Sequence, residues 1–203
     1  MRDVLAVLLA YGLGSVVWGV VLGRLLCGRD PRELDNPGAS GSVRLFGPAL
    51  GIAVGVLDLA KGWLAVTIAG HLGASPIGLG LAATAAVAGH NWPIWFGFRG
   101  GGGLATGAGA LGTLGLRGTL VGIGIALLAA AVYKHPRLYG RLPMAALPFG
   151  TVFGAPALLL TFWREGNTPG LLAAACCTAL VGLRGLQMLG EKRERDARLR
   201  SSG

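Results

Sequence analysis

The chain has 203 residues, 53% of them hydrophobic and only 13% charged, with a formal net charge of +9 and a mean hydropathy of +0.62. A soluble domain carries about 25% charged residues, so the composition excludes an ordinary water-soluble enzyme and leaves a polytopic membrane protein. The basic residues stand between and beyond the apolar runs, where they set topology and meet anionic head groups; nucleic acid is not an expected partner.

The first apolar stretch follows Met1-Arg2-Asp3 and continues to about Leu26. It is too long for a signal peptide and lacks a small-residue cleavage site, so 4–26 is read as the first span. A loop with Arg24, Arg29, Arg32 and Arg44 comes next, and it contains Gly38-Ala39-Ser40-Gly41-Ser42. The second span, 47–70, holds Asp58 and Lys61 at helical i,i+3 spacing. Charge is costly to bury in lipid, which marks this pair as functional. The third, 77–97, runs through Gly89-His90-Asn91 into the aromatic residues Trp92, Trp95 and Phe96, which suit a membrane–water interface. Phe98-Arg99-Gly100-Gly101-Gly102-Gly103 then combines a fixed cation with a backbone free to turn several N–H groups toward one anion.

The stretch 104–133 is 30 residues long. As one helix it would measure about 45 Å, against roughly 30 Å of hydrocarbon. A break near Gly115–Gly118 turns it into two crossings, and the remaining spans fall at 142–162 and 169–189. With that break, the basic loop 27–46, the turn 97–106, the segment 134–141 and the C-terminal tail all share one face. The positive-inside bias makes that face cytoplasmic and puts the N-terminus outside. The expected fold is an all-α integral membrane protein of about seven transmembrane helices, some of them short. It forms a single membrane domain, 1–191, followed by a charged cytoplasmic tail, 192–203. Cys27, Cys176 and Cys177 form no disulfide framework, and no His, Cys or carboxylate spacing suggests a metal.

Three segments, in this order and spacing, resemble the bacterial acyl-phosphate:glycerol-3-phosphate acyltransferases, the PlsY family of small integral membrane enzymes. They are Gly14-Ser15-Val16-Val17-Trp18-Gly19; Asn36-Pro37-Gly38-Ala39-Ser40-Gly41-Ser42-Val43-Arg44 with Asp58-Leu59-Ala60-Lys61-Gly62; and Gly89-His90-Asn91-Trp92-Pro93 with Phe98-Arg99-Gly100-Gly101-Gly102-Gly103-Leu104-Ala105-Thr106. The resemblance covers about residues 11–112, and the rest follows by hydropathy alone. It implies transfer of a fatty acyl group from acyl phosphate to glycerol 3-phosphate, forming lysophosphatidic acid for phospholipid synthesis at the cell inner membrane, with no cofactor. The acyl donor is already activated, so the site needs anion binding, orientation and oxyanion donors more than a metal or a nucleophilic Cys. The residues expected to carry catalysis are His90, Asn36 and Ser40. Those expected to hold substrate or phosphate are Arg44, Lys61, Arg99, Gly38, Gly100, Gly101, Gly103, Thr106 and Ser15, with Asp58 in support.

The chain departs from the family pattern at Leu34, Gly41 and Gly102, where the family has Ser, Asn and Lys. Its C-terminal motif is reduced to Arg184-Gly185-Leu186-Gln187-Met188-Leu189-Gly190-Glu191, without His or Asn. Arg137, Arg141 and Arg184 are candidates to replace the absent cation. A relative that binds lipid or phosphate ligands without turnover is the alternative reading.

Overall fold

The computed structural model describes residues 1–136 and 146–201, and every regular element in them is helical. Among the described residues, five segments are long and apolar enough to cross a membrane: Arg2–Cys27, Pro48–His71, Leu116–Tyr133, Ala146–Arg164 and Thr168–Glu191. Their outward faces carry large hydrophobic residues such as Leu8, Ile52, Leu128 and Trp163, as lipid contact demands.

The first segment is two helices. Helix α1 (Arg2–Gly14) stops, the chain turns through an extended Val17, and α2 (Trp18–Cys27) begins. The span expected at 4–26 is present as Arg2–Cys27, broken in its middle. The turn exposes carbonyls that no helical N–H reaches, and Lys61 Nζ takes two of them, Gly14 O at 2.9 Å and Val16 O at 2.5 Å. After a 3-10 turn at Pro31–Glu33, α3 (Ala39–Phe46) leads into α4 (Pro48–His71). Helix α5 (Pro76–Asn91) is shorter than the span expected at 77–97, because Trp92 leaves helical geometry ahead of Pro93. Residues 92–103 form a loop with a 3-10 turn at Ile94–Phe96.

Helices α6 (Leu104–Leu114) and α7 (Leu116–Tyr133) are separated by an extended Gly115, within the stretch where a break is expected. They run in opposite directions. Helix α6 packs back along α5, Gly103 lying against Asn91 and Gly107 against Val87, and Leu114 O accepts from Asn167 Nδ2 at 2.8 Å. Helix α7 returns against α8 (Ala146–Arg164), Gly118 meeting Phe162 and Gly150 meeting Ala126. Helix α9 (Thr168–Ser201) continues well past 189, so the charged tail is helical through Ser201.

The core is built from small and aliphatic side chains, Val66, Ala83, Val87, Ala110, Leu111 and Phe162 among them. In lipid the attraction between helices comes from close packing, which small residues permit. One end of the bundle gathers α3, the C-termini of α1 and α5, the start of α6, and the stretch of α9 around Arg184 and Gln187, which touches Gly100 and Trp92. The N-terminus lies at the other end, where Asp3 accepts from Ser75 N at 2.7 Å and Ser75 Oγ at 2.6 Å.

Candidate active site

A buried charged pair stands behind the site. Asp58 and Lys61 are 1% and 5% exposed and paired at 3.0 Å. Lys61 Nζ also lies 2.9 Å from His90 Nδ1. An ammonium has only hydrogens to offer, so Nδ1 is the unprotonated nitrogen of the ring and Nε2 carries the hydrogen. Lys61, a residue expected at phosphate, is surrounded by Gly14 O, Val16 O, His90 and Asp58, more acceptors than its three N–H groups can serve. Lys61 thus bridges His90 and the α1–α2 turn.

His90 Nε2 faces the glycine loop. A Cβ on Gly101 would fall 2.4 Å from Nε2 and 3.3 Å from Asn36 Oδ1, so only glycine lets the loop lie against both. Sequence-distant His90 and Asn36 thereby meet at one point of the backbone. Gly103 adopts φ +80°, a left-handed conformation that suits glycine, and starts α6. Of the glycine N–H groups expected to turn toward an anion, two are engaged by the backbone. Gly100 N donates to Asn91 O at 3.2 Å and Gly101 N to His90 O at 3.1 Å. Among the described residues the N–H groups of Gly102 and Gly103 meet no acceptor. Together with the first turn of α6 they form the donor end of the loop.

Asn36 Oδ1 accepts from Gly38 N at 3.0 Å, closing a turn that aims α3. Ser40, in the first turn of α3, is half-buried and lines an apolar cavity of about 390 Å³ with Val43, Gly51, Ile52, Val56 and Leu147. Arg44, expected at phosphate, is exposed and grips Asp35 with two hydrogen bonds of 2.7 and 2.8 Å. Arg99 is exposed and makes no hydrogen bond or ion pair among the described residues. Ser15 and Thr106 are fully buried. Ser15 Oγ donates to Tyr11 O at 2.8 Å and accepts from Ile94 N at 3.3 Å, which ties the aromatic loop to α1. Thr106 Oγ has no partner among the described residues, and its backbone packs on Gly62. Arg137 and Arg141 lie outside the described residues.

Two arginines carry more than their sequence context announces. Arg32 hydrogen-bonds Asp30, reaches Phe96 O at 2.6 Å and lies 5.6 Å from the Phe96 ring centre. It fastens the basic loop to the aromatic loop, a contact that nothing in the local sequence signals. The Arg32 hydrogen bond outweighs desolvation and, with help from Arg32 N and Arg24, holds the Asp30 carboxyl well below the usual carboxylate range. Arg184 of α9 is 5% exposed and donates to Gly100 O at 3.0 Å. The reduced C-terminal motif makes it a candidate for the absent cation; its contact with Gly100 is visible only in the fold.

The glycerol-3-phosphate acyltransferase family model matches residues 4–187. This chain belongs to that family. It is thus an integral membrane protein of an acyltransferase family that serves phospholipid biosynthesis. Glycerol-3-phosphate acyltransferase 2 of Deinococcus radiodurans is 39% identical over 187 residues, covering 91% of this chain and 93% of the relative. A Klebsiella pneumoniae glycerol-3-phosphate acyltransferase is 41% identical over 145 residues, covering 70% and 71%. Among solved structures, the glycerol 3-phosphate form of PlsY (YgiH), an integral membrane glycerol 3-phosphate acyltransferase, superposes with a TM-score of 0.74 at 26% identity, covering 100% of this chain and 94% of that one.

Proposed function

We propose that this chain transfers a fatty acyl group from acyl phosphate to the 1-hydroxyl of glycerol 3-phosphate, releasing lysophosphatidic acid and inorganic phosphate, at the cytoplasmic face of the cell inner membrane. The observation that carries this reading is the meeting of His90 Nε2 and Asn36 Oδ1 on Gly101, on the end of the bundle that also holds an apolar cavity with Ser40 in its wall. The cavity accepts an acyl chain, and the donor end of the glycine loop accepts phosphate oxygens. With its proton on Nε2, His90 serves as a donor to developing negative charge rather than as a base. Asn36 and Ser40 orient the hydroxyl and carbonyl groups, and the departing phosphate, itself an oxyanion, takes the hydroxyl proton. Arg99 supplies mobile positive charge at the mouth, and Arg44 with Asp35 shapes the rim of α3.

The non-catalytic alternative draws on Leu34 and Gly102, which stand where the family pattern has Ser and Lys and leave the loop with no cation besides Arg99. One assay separates the two. Purified protein, palmitoyl phosphate and radiolabelled glycerol 3-phosphate should yield labelled lysophosphatidic acid, with or without chelator. No product from folded protein would overturn the acyltransferase reading. Arg99→Lys, which keeps topology but loses the guanidinium fork, should raise the KM for glycerol 3-phosphate several-fold.

A further inference from the structure

The proposed reaction leaves one buried cation without a task. Arg184 reaches from α9 to the glycine loop, and its guanidinium is unevenly satisfied. Nη2 donates to Gly100 O at 3.0 Å, and Nη1 holds Glu191 Oε1 at 2.6 Å and stands 3.5 Å from Gln187 Oε1. Nη2 also lies 3.4 Å from Glu191 Oε2. Nε is buried with no hydrogen-bond partner among the described residues. Its one carboxylate partner among the described residues, Glu191, has a side chain 53% exposed against 6% for Arg184. A buried guanidinium thus touches the anion-binding loop from inside and is neutralised by a carboxylate standing at the solvent rim. Burying a charge demands a partner, but a half-exposed carboxylate can swing into water at little cost when a stronger anion arrives.

We propose that Arg184 is an anion-binding residue of this site, and that the phosphate of glycerol 3-phosphate takes the place of Glu191 on its guanidinium. Glu191 is then an internal stand-in for phosphate, and the cation that the loop lacks at Gly102 comes from α9. A phosphate monoester presents oxygens that the guanidinium fork can hold bidentately, and the open Nε donor adds a further bond. This rests on the acyltransferase reading for the identity of the ligand.

Two readouts test it: the KM for glycerol 3-phosphate in the palmitoyl phosphate assay, and calorimetric binding of glycerol 3-phosphate to the purified protein in detergent. Glu191→Gln removes the competitor and should tighten both several-fold, whereas Glu194→Gln, the same charge change about one turn further on, should leave both unchanged. Arg184→Gln should weaken both by roughly tenfold or more. Adding Gly102→Lys to Arg184→Gln should recover part of the loss, since a side chain at Gly102 enters open space. If Glu191→Gln leaves both values at wild type, or tightens them no more than Glu194→Gln does, the proposal is overturned and Arg184 only pins α9 to the loop. The Glu191 test does not depend on the stability of an Arg184 variant. A wild-type protein that never turns over but binds glycerol 3-phosphate more tightly as Glu191→Gln would sink the acyltransferase reading and leave this inference standing.

Discussion

At Gly101 one methyl group would decide whether the loop can lie against the His90 ring. A Cβ there would sit 2.4 Å from His90 Nε2, and His90, at 2% exposure, has no room to retreat. Overpacking of this kind costs about 1–3 kcal/mol, so Gly101→Ala should lower kcat/KM by roughly 5- to 150-fold while the protein still folds. Gly102 is the control. Its would-be Cβ meets nothing within 4 Å and its backbone is outside the left-handed region. Gly102→Ala should therefore stay near wild type in the same steady-state assay. Equal effects at the two positions would mean that His90 does not act through the loop. Read as a string, the four glycines are interchangeable; only the position of the His90 ring ranks them.

Between elements, the charged hub and the basic loop make separate demands. Lys61 ties α4 to the α1–α2 turn and to α5 at once. Lys61→Met would leave Asp58 buried without its cation and two turn carbonyls without a donor, a loss of about 3–5 kcal/mol. Thermal unfolding in detergent should show a clear drop in Tm, and Asp58→Asn added to Lys61→Met should recover part of it. No recovery would mean that the carbonyl contacts, not the ion pair, are what matter. The loop's own anchor is Asp30 with Arg32. Its folded carboxyl titrates below the ordinary value of 3.8, so the stability it contributes is complete above about pH 4 and is lost only as the pH falls through the lower, folded value. Trypsin cleavage after Arg29 should therefore proceed alike at pH 5.5 and pH 7.5, after correction for the enzyme's own pH dependence. Asp30→Asn should speed cleavage several-fold at both. Protection that fades between those pH values would assign the anchor to another group.

For the whole molecule, the decisive feature is that α6 and α7 reverse direction at Gly115. The reversal carries α8 and α9 round so that Arg184 and Gln187 come back to the glycine loop and Trp92, while Asp3 and Ser75 hold the opposite end. On the topology proposed here, a reporter fused after Gly203 is active only in the cytoplasm, and one inserted at Ala74 only in the periplasm. The reverse pattern for either fusion would detach the arginine-rich loops from the face on which acyl transfer is placed.

Hydropathy, basic-residue placement and the motif spacing determine, with no structure at hand, that this is a helical membrane protein of the glycerol-3-phosphate acyltransferase family. The glycine run stands out because a glycine-rich stretch is a property of contiguous residues, whereas His90 and Asn36 are marked as site residues only by the family resemblance. Even the break near Gly115 is legible, since one helix of that length overshoots the hydrocarbon. Tertiary structure alone decides how the cations divide their work. Lys61 meets carbonyls 45 and 47 residues away, Arg32 meets a carbonyl 64 away, and Arg184 one 84 away. The string shows each as a positive charge, but whether that charge faces a ligand or a backbone oxygen depends on which helices pack beside it. Packing at small residues sets those neighbours, and it leaves little trace in hydropathy.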